Sequence, residues 1–149
     1  MKTVADPRVL DGLVRRLEGL TPATPRRWGT LSAHEMLCHL ADASASVLAR
    51  PAGDVAPARR VRKLLALYTA IPWPHGLRTP PNVDQRIGGT PPAGFVLDRE
   101  RAIAGLRALG SAPASAFPTT HGHLGAMIPK DWQRWGYRHT DHHLRQFGL

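Results

Sequence analysis

The last nineteen residues of the chain, 131–149, constrain its fold more than any other stretch. Read as an α-helix at roughly 100° per residue, they place four polar side chains within one arc of about 100°. These are His139, His142, His143 and Gln146. Trp132 and Trp135 fall on the same arc, one and two turns earlier. Neither a helix surrounded by water nor a purely apolar core favours such a stripe, so the pattern predicts a buried face with a chemical role.

The spacing His-x-x-x-His sets His139 and His143 one helical turn apart. One helix offers two nitrogen ligands to a single metal ion in this way. Two ligands do not complete a site, so another part of the chain must supply a third. His39 lies on the margin of an apolar stripe in an earlier helix, with Glu35 and Asp42 about one turn away on either side. A carboxylate at that distance can hold the distal nitrogen of a ligating histidine or serve as a ligand itself.

Four segments have the apolar periodicity of long helices. They cover residues 7–20, about 33–49, 98 to about 110, and a final helix that ends near residue 148. Asp6 before Pro7, and Ser32 three residues before Glu35, are typical helix starts, and Asp98 is a third predicted cap. Helices of this length bury their stripes by packing together, so we predict an all-α, four-helix bundle that forms a single domain over residues 1–149.

Residues 51–97 are rich in proline and glycine and break the helical pattern. Only Val61–Ile71 within them predicts a helix, short and basic at its start. The rest predicts a long crossover between the second and third long helices. Connections of this length in a compact domain usually have a function. No stretch of the chain gives a convincing strand.

The amino-acid composition and net charge of the chain limit the classes of protein to which it can belong. The single cysteine, Cys38, excludes an internal disulfide and favours a reducing compartment. The chain has no apolar run of membrane-spanning length, and its first residues lack the apolar core of a signal peptide, so we expect a cytoplasmic protein without membrane partners. The net charge is +9, but the arginines are scattered and no nucleic-acid-binding module is recognisable. We therefore interpret the charge as solvated surface and do not favour nucleic acid as a partner.

Several motifs together resemble the DinB/YfiT-like superfamily of four-helix-bundle metalloproteins, and within it a bacterial branch of undefined function. The matching segments are residues 27–29, 35–42, 79–85, 88–92, 121–125 and 135–147. They span nearly the whole chain, and the last is the most specific. The chain departs from the branch after His121, where proline is usual and Gly122 and an extra histidine, His123, stand here.

The resemblance implies that His39, His139 and His143 bind a divalent metal ion, with Gln146 orienting a ligand or a bound water. Nickel or zinc would suit three imidazoles, and iron and manganese also stay open. Some relatives transfer a low-molecular-weight thiol to an electrophile, because a metal lowers the pKa of the thiol it binds. The resemblance therefore implies a metal-dependent transferase that acts on a small molecule.

The remaining histidines are predicted to have other roles. His121 and His123 form a loop pair that can cap a pocket, and His142 and Trp135 are further candidates for its lining. His34 and His75 are interpreted as ordinary surface or loop residues. Two other functions stay open: a non-catalytic bundle that binds a metal or small molecule or forms a homodimer, and a basic protein associated with nucleic acid.

Overall fold

The computed structural model describes residues 1–49 and 59–149, and it is mostly helical, which confirms the all-α class. Residues 50–58, at the start of the predicted crossover, lie outside the described residues. The described part contains α1 (Pro7–Glu18), α2 (Ala33–Leu48), α3 (Arg60–Tyr68), α4 (Phe95–Ser111) and α5 (Pro129–Gln146). It also contains one antiparallel pair of two-residue strands that the sequence did not predict, β1 (Thr120–His121) and β2 (Gly125–Ala126).

Two of the predicted helix starts are confirmed. The Asp6 carboxylate accepts a hydrogen bond from the Arg8 amide (2.9 Å) at the start of α1. At the start of α2, Ser32 and Glu35 form the reciprocal capping box, because each side chain accepts a hydrogen bond from the backbone amide of the other. These bonds satisfy amides that the first turn of a helix leaves unpaired.

The predicted start of α4 is wrong. The helix begins at Phe95, three residues before the predicted cap Asp98. Asp98 lies instead inside the first turn, fully buried, and accepts hydrogen bonds from the amides of Ala93 (3.0 Å) and Gly94 (3.2 Å). Although it lies inside α4, the Asp98 carboxylate therefore fixes the turn that precedes the helix.

The four long helices share one apolar core, and α2 and α4 are in extensive contact. Gly105 allows their close approach, because a Cβ atom there would lie 2.9 Å from the Cβ atom of Ser44. Most of the largest fully buried side chains come from α1, α2, α4 and α5 and include Leu13, Leu17, Met36, Leu37, Leu109, Trp132 and Leu144. α2 also contacts α5, and the histidines of these two helices come together where they meet.

The short helix α3 is attached to α5 through a buried carboxylate. Asp131 accepts hydrogen bonds from the hydroxyl of Tyr68 and from Lys63 Nζ (3.0 Å). Next to it, Arg138 Nε and Trp73 Nε1 both donate to the carbonyl of Ala66, each at 2.9 Å. These bonds hold the segment that follows α3 against α5.

No helix within residues 1–49 and 59–149 is both long and apolar enough to span a membrane.

Candidate metal centre

Three histidine side chains converge where α2 meets α5. His39 comes from α2, and His139 and His143 come from successive turns of α5. One ring nitrogen of each lies within 4.8 Å of the other two, and the Nε2 atoms of His39 and His139 are 3.1 Å apart. Three residues from distant parts of the sequence therefore form a group that can hold a metal ion.

The backbone of the crossover orients His39. Its Nδ1 atom lies 2.8 Å from the carbonyl oxygen of Val83, in a 3₁₀ turn at Pro81–Val83. A carbonyl oxygen only accepts hydrogen bonds, so Nδ1 carries the proton and Nε2 presents its lone pair to the other two histidines. A metal-ligating histidine commonly makes this kind of bond with its outer nitrogen.

The carboxylates predicted to hold His39 bind elsewhere. Glu35 accepts hydrogen bonds from Arg86 Nε (3.1 Å), besides its part in the capping box. Asp42 accepts two bonds from Thr90, one from the amide (2.7 Å) and one from the hydroxyl (2.8 Å). The sequence prediction is corrected here, because both side chains hold the crossover segment and Val83 supplies the acceptor.

Gln146 contacts the outer nitrogen of His143. Its Oε1 atom is 3.1 Å from His143 Nδ1, and its Nε2 donates to the carbonyl of Trp28 (2.8 Å). Because the second bond fixes the amide, Oε1 faces the ring and Nδ1 must carry the proton. Gly29 leaves room for this amide: its φ is +77°, and a Cβ atom there would lie 2.3 Å from Gln146 Nε2.

The site keeps its imidazoles neutral. Burial, followed by the neighbouring histidines, holds the pKa of His139 and of His143 well below the ordinary value. Burial also lowers the pKa of His39, although its bond to Val83 opposes the shift. Trp135 stacks on the His139 ring at 4.6 Å between centroids and 16° between planes. Neutral imidazoles with fixed rings are the form that binds metal, since a metal ion competes with protons for the same lone pairs.

The spacing of two of the three rings, those of His39 and His139, fits a shared metal ion. Two nitrogen ligands at about 2.0–2.1 Å from zinc, at angles between 90° and the tetrahedral value, lie roughly 3 Å apart. The observed separation between His39 and His139 is 3.1 Å. The proton in this contact belongs to His139, since His39 carries its own on Nδ1. Binding an ion through His139 Nε2 would therefore require that proton to move to Nδ1, which leaves the imidazole neutral.

The other predicted pocket residues occupy two flanks of the centre. On one flank, the His123 amide donates to His121 Nδ1 (3.0 Å), and the His121 ring is 6.1 Å from the ring of Trp135. Trp135 is buried and lies between this loop and the centre, because its ring contacts His121 on one side and stacks on His139 on the other. On the other flank, His142 lines a neighbouring cleft of about 210 Å³ with Trp28, Pro72, Trp73, His75, Arg138, Asp141 and Arg145.

His34 is predicted to be an ordinary surface or loop residue, but it lies in α2 and its side chain is only 24% exposed. Its Nε2 atom lies 2.8 Å from the buried carboxylate of Asp98, and Cys38 completes a second group with ligand atoms within 4.8 Å of one another. Burial and the Asp98 charge raise the pKa of the Cys38 thiol to about 12. The oxygens of Asp98 already accept bonds from His34, from Arg101 and from two backbone amides. This group therefore ties α2 to α4. The four-residue spacing of His34 and Cys38 was its only sequence signal.

Comparisons of the chain with protein-family models, with curated proteins and with solved structures found no match. The assignment of the site therefore depends on its own geometry.

Replacing Gln146 with alanine is expected to weaken zinc binding about 10- to 100-fold, because the His143 ring loses the acceptor that orients it. Isothermal titration of the metal-free protein with zinc measures this change. Gln133→Ala, on the same helix but away from the histidines, is the matched control. Equal affinities for the two variants would show that Gln146 does not position the ligand.

Proposed function

We propose that this protein is a divalent-metal-dependent enzyme of the DinB/YfiT-like type, built on a four-helix bundle of α1, α2, α4 and α5. In this proposal it transfers a low-molecular-weight thiol to a small electrophile. The convergence of His39, His139 and His143 carries the proposal. The resemblance seen in the sequence motifs supplies the reaction class.

The three imidazoles would hold the ion through the nitrogens that face one another. Val83 and Gln146 set the rings of His39 and His143 by accepting bonds from their outer nitrogens. A bound divalent ion would lower the pKa of a coordinated thiol, so that thiolate is present at neutral pH. Three protein ligands leave coordination positions for substrate, which a catalytic site needs and a closed structural site lacks.

The donor set favours nickel or zinc. All three side chains are imidazoles, which suit these metals, and the carboxylates predicted nearby are engaged with the crossover. Iron and manganese belong in the same screen, because imidazole also binds iron and both were compatible with the sequence.

The direct test is turnover. Protein purified without an affinity tag is loaded with zinc or nickel and incubated with a panel of low-molecular-weight thiols and a model electrophile such as a chlorodinitrobenzene. We expect conjugation that disappears on chelation and in His139→Ala, and that persists in Gln133→Ala. Stoichiometric metal without turnover across the panel would contradict the catalytic proposal and favour a non-catalytic metal-binding bundle.

A further inference from the structure

The cleft beside the three histidines has walls of flat rings. Trp28 and His75 stack with 4.1 Å between centroids and 9° between planes. Trp73 lies 5.9 Å from the ring of His142, and both line the cleft. The volume is about 210 Å³, and a cavity of roughly 150 Å³ is enough for benzene. The cleft therefore has room for one planar ring with a small substituent.

The charges around this cleft favour an anion. Two arginines, Arg138 and Arg145, line it together with one carboxylate, Asp141. The Asp141 carboxylate is already paired with Arg145 Nε and with Arg16 Nη1, each at 2.8 Å. Arg16, Arg145 and Arg138 thus carry three positive charges against the one negative charge of Asp141, so positive charge is left in excess.

Donor groups remain on both arginines. Arg138 uses Nε and Nη2 to bind the carbonyls of Ala66 and Ile71, and Arg145 uses Nε to bind Asp141. Among residues 1–49 and 59–149, neither Arg138 Nη1 nor the two Nη atoms of Arg145 make a hydrogen bond. A guanidinium group presents such donors in a planar fork that matches a carboxylate.

The cleft adjoins the candidate metal centre. The ring of Trp73, on its wall, lies 6.2 Å from the ring of His139, and the ring of His142 lies 5.2 Å from that of His143. Arg138, His142 and Arg145 belong to the same helix as His139 and His143. A molecule held here would lie next to any ion bound by the three histidines.

We infer that this cleft binds a small planar carboxylate, with the ring against the aromatic side chains that line it and the carboxylate on Arg145 and Arg138. As a statement about the substrate, this inference rests on the proposed function. As a statement about binding, it can be tested without metal.

The test uses the full chain, freed of metal by chelation, and two probes of similar shape. Benzoate and the neutral benzamide are titrated separately while amide chemical shifts are recorded by NMR. We expect benzoate to bind at least about tenfold more tightly than benzamide, since charge-assisted hydrogen bonds are stronger than neutral ones. The shifted amides should belong to the cleft.

Arg145→Gln is expected to weaken benzoate binding at least about tenfold and to abolish the preference over benzamide. Arg145→Lys should keep part of the preference, because it retains the charge and loses the fork. Arg107→Gln, an exposed arginine on α4, is the control and should bind benzoate as the wild type does. Thermal unfolding of each variant verifies that it is folded.

Equal affinity for the two probes, or unchanged benzoate binding in folded Arg145→Gln, would overturn the inference. Its failure is separable from that of the proposed function. Selective benzoate binding by a protein that takes up no metal would support the cleft and refute the metal-dependent enzyme. Stoichiometric metal without benzoate selectivity would refute the cleft alone.

Discussion

The alanine variant of His139 is expected to bind zinc at least about 100-fold more weakly than the wild type, the largest change in affinity predicted for any single substitution. Loss of an orienting partner alone typically costs 10- to 100-fold, and this substitution removes a ligand itself. The residual pair, His39 and His143, would leave the ion with two protein donors. Competition titration against a chromophoric chelator measures the affinity over the required range.

His123→Ala is the matched control, because it removes an exposed imidazole from the β1–β2 connection and leaves the three converging rings intact. Its zinc affinity should stay within about twofold of the wild type. If His139→Ala keeps the wild-type affinity and stoichiometry, the ion binds elsewhere and the assignment of the centre is wrong.

The second large effect concerns stability. Asp98→Ala is expected to lower the free energy of unfolding by about 3 kcal/mol or more. Asp98 is fully buried and accepts bonds from His34, Arg101 and the amides of Ala93 and Gly94. Alanine would leave these donors without their acceptor and remove the His34–Asp98 contact between α2 and α4. Urea unfolding followed by circular dichroism measures the difference.

From the buried Asp98 carboxylate we also predict how the free energy of unfolding changes at acid pH. Burial alone would raise the pKa of Asp98, but the bonds from the Ala93 amide, His34, Arg101 and the Gly94 amide hold it well below the usual range. Because the pKa of this carboxyl is lower in the folded state than in the unfolded state, its ionised form stabilises the fold at pH values above the unfolded-state pKa of about 3.9. This stability is lost as the pH falls through the folded-state pKa. The free energy of unfolding should therefore fall more steeply below about pH 4 in the wild type than in Asp98→Ala.

Asp11→Ala, an exposed carboxylate on α1, is the control for both measurements and should change the free energy of unfolding by less than about 0.5 kcal/mol. Should Asp98→Ala be as stable as Asp11→Ala, the buried network would not contribute to folding in the way described.

Local sequence patterns predicted the helices well, because each depends on neighbouring residues. The capping box of Ser32 and Glu35 and the spacing of His139 and His143 involve side chains three or four positions apart, and the structure contains both features. Asp98 misled the prediction because a carboxylate near a helix start resembles a cap, whereas its burial depends on how α2 packs against α4.

The acceptor for His39 could not be predicted in this way. It is a backbone carbonyl, that of Val83, which any residue could supply, and it lies in the crossover segment that Glu35 and Asp42 also bind. The helical spacing of Glu35 and Asp42 around His39 could not reveal the partners of these two carboxylates. The pairing of His34 with Asp98 has the same cause, since the two lie 64 residues apart.

The most direct test is a crystal structure of the protein grown with zinc, with diffraction measured on both sides of the zinc absorption edge. The account predicts one anomalous peak about 2.0–2.1 Å from a ring nitrogen of each of His39, His139 and His143. It also predicts that Val83 and Gln146 still hold the outer nitrogens of His39 and His143. An anomalous peak at any other residues, with none among these three rings at saturating zinc, would contradict the central claim.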